Sequence, residues 1–161
     1  MTIQPGDSMP EGVLMNMTAE GPAPIPSGDL FGGKKVVLFA VPGAFTPTCS
    51  AKHVPGFVAK AEEIKAKGVD TIACISVNDV FVMDAWGKDQ AVGDKVLMLA
   101  DGSGDYIKSL GLQLDLTPRG MGVRATRFAM IVNDGKLEHL AIESNPGELT
   151  ASGAEAILEK L

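Results

Sequence analysis

Cysteine is scarce in this 161-residue chain: there are two, Cys49 and Cys74, and no Cys-x-x-Cys pair. That count excludes a disulfide-stapled scaffold and a four-cysteine zinc site. It fits a reducing compartment in which thiols stay free. Arginine is scarcer than lysine, three against eleven, and the only histidines are His53 and His139. Acidic residues outnumber basic ones 20 to 14, for a net charge of -6. Phosphate binding needs a concentrated positive face, so a nucleic-acid partner is not expected, and the acidic balance serves mainly solubility. No apolar run approaches the roughly 20 residues that span a bilayer. The first basic residue is Lys34, so the amino-terminal stretch lacks the charged region of a secretory signal and the arginines of a transit peptide. A cytoplasmic protein that does not enter a membrane is expected. Internal repeats and low-complexity segments are absent.

What is present is a well-stocked core: 45% of the residues are apolar, enough for one buried domain over 1–161. Residues 1–12 read as an irregular lead-in, followed by a weak strand over 12–17 and a stiff loop carrying Pro22, Pro24 and Pro26. Lys35 to Val41 is a β-branched apolar run of the kind that makes a buried strand. From Cys49 onward, Val54, Phe57, Val58, Ala61 and Ile64 recur at helical spacing up to Gly68, with Pro55 expected to kink the helix. Asp70 to Val77 is the next strand, and Asn78-Asp79 caps a helix reaching about Gln90. A strand over 96–100 and a short helix from Ser103 to Leu110 follow, then a loop loosened by Gly120 and Gly122. Arg127–Val132 and Lys136–Glu143 form a hairpin around Asp134-Gly135. A last helix over 150–161 carries Ala154, Ile157, Leu158 and Leu161 on one stripe. The order βαβαβα then ββα predicts an α/β fold with a mixed central sheet and helices on both faces.

The chain is organised around Pro42-Gly43-Ala44-Phe45-Thr46-Pro47-Thr48-Cys49. A strand, a stiffened turn and then a cysteine at a helix start place the sulfur near unpaired N–H groups and the positive end of a helix dipole, which favours thiolate. Thiolate formation alone raises the reactive fraction near neutral pH by only about ten- to thirty-fold. Charge developing on a substrate needs its own donor. All three arginines, Arg119, Arg124 and Arg127, lie within nine residues. Arg127, at the start of a strand, is the one held most firmly, and a guanidinium offers fork-like donors to a thiolate and to an attacked oxygen. The Thr46 hydroxyl, three residues before the sulfur, can donate to a thiolate or accept from a protonated substrate.

These residues carry a resemblance. Pro42-x-x-x-Thr46-x-x-Cys49 resembles the active-site motif of peroxiredoxins, and the fuller run 42–57 resembles the type II, or peroxiredoxin-5-like, subfamily. The similarity continues through Cys74-Ile-Ser-Val-Asn-Asp-Val-Phe-Val-Met83 and Arg124-Ala-Thr-Arg-Phe128. It implies a thioredoxin-like fold and a peroxidase acting on hydrogen peroxide and alkyl hydroperoxides. Cys49 is then the peroxidatic cysteine, and Pro42, Thr46 and Arg127 complete the peroxide pocket. It implies no metal and no organic cofactor. It further implies a homodimer formed through the active-site face, with Phe45 and Phe81 as contact residues, and glutaredoxin, glutathione or thioredoxin as the reductant. Some animal members carry a resolving cysteine near the carboxyl terminus, where Leu149–Ser152 has none here; the plant and bacterial branch uses a cysteine matching Cys74.

Plainer readings stand beside these. A free cysteine is often a small core hydrophobe, and Cys74, inside an apolar strand, leaves that reading open. Arg119 reads as a solvated loop residue and Arg124 is undecided. His53 reads as a hydrogen-bonding residue near the pocket, although a cysteine hydrolase would use His53 or His139 as its base. The eight methionines read as core fillers. A thioredoxin-fold redox sensor or holdase without turnover is the alternative to the peroxidase.

Overall fold

Every residue from Val36 to Val41 is buried, and the run alternates between two cores rather than between core and solvent. Val37, Phe39 and Val41 face one side, Val36, Leu38 and Ala40 the other, because successive strand residues point to opposite faces. A run apolar on both parities belongs in the interior of a sheet covered on both sides. The computed structural model, which describes all of residues 1–161, has it there.

In chain order the elements are β1 (Val13–Thr18), β2 (Gly21–Pro26), α1 (Ser27–Phe31), β3 (Lys35–Ala40), α2 (Val54–Ala66), β4 (Thr71–Ser76) and α3 (Val80–Asp89). After these come β5 (Leu97–Ala100), α4 (Asp105–Leu110), β6 (Gln113–Leu116), β7 (Gly122–Ala125), β8 (Phe128–Asn133), β9 (Lys136–Ile142) and α5 (Ala154–Leu158). Seven strands form one sheet in the order β2-β1-β5-β4-β3-β8-β9. β3, β4 and β5 run parallel and the remaining pairs antiparallel, so the sheet is mixed. Phe57, Ala61 and Ile64 of α2, Met83 and Trp86 of α3 and Ile157 of α5 pack on one face. Leu30 and Phe31 of α1 and Tyr106, Ile107 and Leu110 of α4 cover the other. Each large apolar side chain so buried contributes about 1.5–3 kcal/mol, which fixes the sheet's register by fixing which parity faces which core. The β8–β9 hairpin turns through Asp134 (φ 48°) and Gly135 (φ 77°), as its Asp-Gly step demands.

Three expectations need correction. The proline-rich stretch is not a loop but the edge strand β2, in register with β1 from Val13↔Pro26 to Thr18↔Gly21. Its prolines fall on alternate residues, so every missing N–H lies on the outer edge while Ala23 and Ile25 face β1. The segment around Gly120 and Gly122 is also ordered: β6 and β7 pair antiparallel as a separate small sheet, joined by a 3-10 turn over Thr117–Arg119. The last helix is shorter than its apolar stripe implied, because Thr150 and Ser152 donate to the Glu143 carboxylate instead of entering a helix.

Candidate active site

β3 ends at Ala40, and the chain crosses the carboxyl end of the parallel strands, where open α/β sheets place their sites. Pro42 and Gly43 are buried there. A Cβ on Gly43 would stand 3.2 Å from Thr46 Cγ2 and 3.4 Å from Met121 Cε, so glycine is what lets Thr46 sit this close. Phe45 has φ 63°, a left-handed conformation that costs a bulky residue about 1–3 kcal/mol. The reversal leaves the Phe45 ring exposed and brings the Thr46 hydroxyl back over the sulfur. Asn78, expected as a helix cap, instead braces this loop: its Oδ1 accepts from Ala44 N–H at 3.0 Å and from Ser76 Oγ at 2.6 Å. The cap of α3 is Asp79, which accepts from Val82 N–H at 2.8 Å.

Helical backbone starts slightly before Cys49, at Pro47, and Ser50 N–H donates to Thr46 O. From Cys49 to His53 the turn widens into a π-helix, closed by Val54 N–H donating to Cys49 O. The cause lies in Pro55, which has no N–H to continue the i→i−4 ladder. The expected kink is thus a widened turn at the sulfur itself. Two bonds hold that turn from outside: Trp86 Nε1 donates to Ser50 Oγ at 3.0 Å, and Thr48 Oγ1 donates to Gly147 O at 2.8 Å.

Cys49 is fully buried, and two donors reach its sulfur: Arg127 Nη2 at 2.9 Å and Thr46 Oγ1 at 2.8 Å. Arg127 lies one residue before β8 rather than in it. It shares the parity of Ala129 and Ile131, which face the same core as Cys49; Phe128 and Met130 face the other. The residue is 2% exposed and no carboxylate bonds its guanidinium. Nε donates to Pro146 O at 2.8 Å and Nη1 to His53 Nδ1 at 2.7 Å. Of its three acceptors only the Cys49 sulfur can carry negative charge. A buried cation without a countercharge is costly, so the guanidinium and a thiolate stabilise each other. The Thr46 hydroxyl has one proton and two acceptors, the sulfur and Gly43 O at 2.7 Å. Turned to the sulfur, that proton supports negative charge; turned to Gly43, it leaves a lone pair free to accept from a substrate O–H.

His53 is buried, with Nε2 2.9 Å from Ser152 O and its ring 4.8 Å from Phe39. Burial, and then the adjacent Arg127 guanidinium, push the imidazole down to about 3. Both ring nitrogens are committed, which leaves the hydrolase reading without a base at this residue. His139 sits in β9 opposite Ile131. Arg124 is settled as a brace for the rim, donating to Met121 O at 2.8 Å and Val77 O at 3.0 Å. Arg119 is exposed in its 3-10 turn.

Cys74 lies mid-β4 between Phe39 and Met98, fully buried and free like Cys49. Burial, and secondarily Cys49, push its thiol well above the usual range. In this closed fold Cys74 is therefore a protonated and poor nucleophile. A surface cavity of about 610 Å³ lies at the amino ends of β4 and β5, away from Cys49, and shares no residue with the site. No three His, Cys, Asp or Glu side chains gather at metal-binding distance.

Glu143, Pro146, Ser152 and Trp86 all take part in holding this site, and none carries a motif. Their involvement comes from the fold bringing the 143–152 segment and α3 against the Cys49 turn.

A buried thiol held by a guanidinium and a hydroxyl, on a mixed sheet with helices on both faces, defines a thiol-based oxidoreductase. The redoxin family model matches residues 4–158. Peroxiredoxin-2B of Arabidopsis thaliana is 52% identical over 157 residues, 97% of this chain and 96% of that one. The chloroplastic Peroxiredoxin-2E of the same plant is 48% identical over 164 residues, 99% of this chain and 70% of its own length. Among solved structures, reduced Prx3 in complex with H2O2 from Vibrio vulnificus superposes with a TM-score of 0.94 at 48% identity, covering 99% of both chains. The chain belongs to the peroxiredoxins, with the thioredoxin-like fold, as a member of the type II, peroxiredoxin-5-like kind. It is a thiol-dependent peroxidase, taking a peroxide as substrate and a thiol as reductant, and the sensor and holdase readings give way to that activity.

Proposed function

We propose that Cys49 is the peroxidatic cysteine and that Pro42, Thr46 and Arg127 form its peroxide pocket. The Cys49 thiolate attacks one peroxide oxygen. An S–O bond forms as the O–O bond breaks, and the bonding pair leaves with the departing oxygen, which takes a proton and goes as water or alcohol. The peroxide is reduced and Cys49 is oxidised to a sulfenic acid. Arg127 stabilises negative charge on the sulfur and on the leaving oxygen. Thr46 orients the peroxide by accepting its O–H, the buried Pro42 shields the sulfur from bulk water, and His53 holds Arg127. The observation that carries this reading is the contact of Arg127 Nη2 with Cys49 Sγ at 2.9 Å, inside a core that offers the guanidinium no carboxylate.

The sulfenic acid then condenses with a second thiol, releasing water and forming a disulfide that an external dithiol or two monothiols reduce. Cys74 is the resolving thiol in this reading; glutaredoxin with glutathione, or thioredoxin, supplies the electrons. We read residues 1–161 as one domain, since the seven-stranded sheet takes in both the first strand, β1, and the last, β9. A homodimer through the active-site face is supported by Phe45 and Phe81, 53% and 64% exposed. The two free thiols support a cytoplasmic setting. Stopped-flow oxidation of the reduced protein by hydrogen peroxide tests the central assignment. Rapid single-turnover oxidation that disappears in Cys49→Ser is expected; near-wild-type turnover in that variant overturns it.

A further inference from the structure

Glu143 follows β9 and is 4% exposed, yet no lysine or arginine bonds its carboxylate. Four donors hold it instead. Thr150 N–H, Ser152 N–H and Ser152 Oγ converge on Oε2 at 3.0, 2.7 and 2.6 Å, and Thr150 Oγ1 reaches Oε1 at 2.6 Å. Burial by itself raises a carboxyl, but these bonds outweigh it and bring Glu143 down to about 2, so the group is an anion across the working range. A buried carboxylate with four donors is a strong tether, because charge-assisted bonds are about twice as strong as neutral ones.

What it tethers matters for the sulfur. The segment 144–152 presents two carbonyls to the active site: Pro146 O accepts from Arg127 Nε, and Ser152 O meets His53 Nε2. Gly147 O, in the same segment, accepts from Thr48 Oγ1, one residue before Cys49. On the other side, Glu143 N–H donates to Arg127 O at 2.9 Å. Glu143 therefore closes a loop whose carbonyls set where the guanidinium and its imidazole support lie, without touching the sulfur. We infer that Glu143 is a positioning residue for peroxide reduction, acting through loop 144–152 on Arg127 and His53.

This inference rests on the reading of Cys49 and Arg127 given above. Reactions that depend on a fixed donor fall steeply when the donor is misplaced by about 1 Å. Glu143→Ala should slow single-turnover oxidation of Cys49 by hydrogen peroxide about ten- to one-hundred-fold. It should also move the ultraviolet thiolate absorbance of the peroxide-free protein to higher pH. Glu143→Gln keeps an oxygen where three of the four donors converge, and should recover most of the rate. A purely electrostatic role predicts the reverse for the thiolate signal, since removing a nearby anion would make Cys49 ionise at lower pH. If Glu143→Ala does not fold, Thr150→Val combined with Ser152→Ala carries the same two measurements, leaving the backbone donors in place. Wild-type rate and wild-type thiolate titration in the folded variant, with only a lower melting temperature, overturn the inference. The thiolate titration needs no peroxide, so failure here is distinct from failure of the Cys49 assignment, which Cys49→Ser alone decides.

Discussion

Arg127 Nη1 lies 2.7 Å from His53 Nδ1, and this contact fixes the chemical state of both groups. A guanidinium has only donors and does not lose its proton in a protein, so Nδ1 is the acceptor. The imidazole is then neutral with its proton on Nε2, where Ser152 O accepts it at 2.9 Å. His53 is thus a polar rest for the arginine that faces the sulfur, and that is the part it plays in the proposed reaction.

The first prediction follows from that contact. His53→Phe keeps a ring packed at a tilt against Phe39 and Phe57 but leaves Arg127 Nη1 buried without an acceptor, at a cost of about 1–3 kcal/mol. Stopped-flow oxidation of Cys49 should slow by roughly ten-fold, in proportion to one misplaced donor. His53→Asn, whose amide oxygen can take the place of Nδ1, should recover part of that loss. Equal rates in both variants would show that the acceptor does not matter.

A second prediction concerns acid stability. The folded His53 titrates near 3 against about 6.5 when unfolded, so between those values the unfolded chain binds the extra proton. Stability must fall as pH drops from about 6.5 toward 3, with a limiting slope of ~1.4 kcal/mol per pH unit. Glu143 adds to this in the same direction below its unfolded value of 4.5, down to about 2. Chemical denaturation across that range should show wild-type stability falling from pH 6.5, and His53→Phe should remove most of the slope above pH 4.5, leaving the smaller part due to His139, which partial burial and Lys160 also hold below its ordinary value. A wild-type curve flat from pH 6.5 to 4.5 would mean that His53 is protonated in the fold.

Arg127 and Arg119 give the third. Arg127→Ala removes a preorganised donor and the countercharge of a buried thiolate, and should slow oxidation by on the order of one-hundred-fold. Arg119→Ala, in an exposed turn, should change the rate by less than about two-fold. Second-order rate constants with hydrogen peroxide for the two variants decide it. A costly Arg119 and a neutral Arg127 would reverse their roles.

The parts of this fold legible in the sequence are those with a strong local period. Lys35 to Val41, the Val54–Ile64 stripe and the Asp134-Gly135 turn each carry their own signal, so β3, α2 and the β8–β9 hairpin were expected where they lie. Cys49, Thr46 and Arg127 were visible because a stiff loop and an arginine cluster are unusual in a chain with three arginines. The rest depended on tertiary contact. β2 hides behind its prolines, whose alternation only has meaning once a partner strand lies on one side. β6 and β7 are four residues each, too short for a period to show. Loop 144–152 and the Trp86–Ser50 bond connect segments far apart in sequence, and nothing local marks either partner.

The last prediction concerns Cys74. Cys49 and Cys74 are both buried and both free, and the high thiol range of Cys74 makes it unreactive where it sits. For the two to join, their Cα atoms must come within about 7 Å. The segment best suited to move is the π-turn Cys49–His53, whose ladder Pro55 already interrupts and which the Trp86–Ser50 bond holds in place. Conversion of Cys49 to a sulfenic acid removes the thiolate that Arg127 pairs with, and so weakens the contact that keeps the turn closed. Opening would also admit water to Cys74 and relieve the burial that raises it. A bond closing a loop of about 25 residues constrains the unfolded chain by roughly 3–3.5 kcal/mol, set against strain in the folded state, so it should be readily reduced. After one equivalent of hydrogen peroxide, intact-mass spectrometry should show the loss of two hydrogens, and digestion should give a crosslinked Cys49–Cys74 peptide. Trp86→Phe, which removes the indole donor to Ser50, should speed the crosslink relative to wild type. A persistent sulfenic acid, or a glutathione adduct on Cys49 with Cys74 still free, would make this a one-cysteine enzyme and leave Cys74 as part of the core.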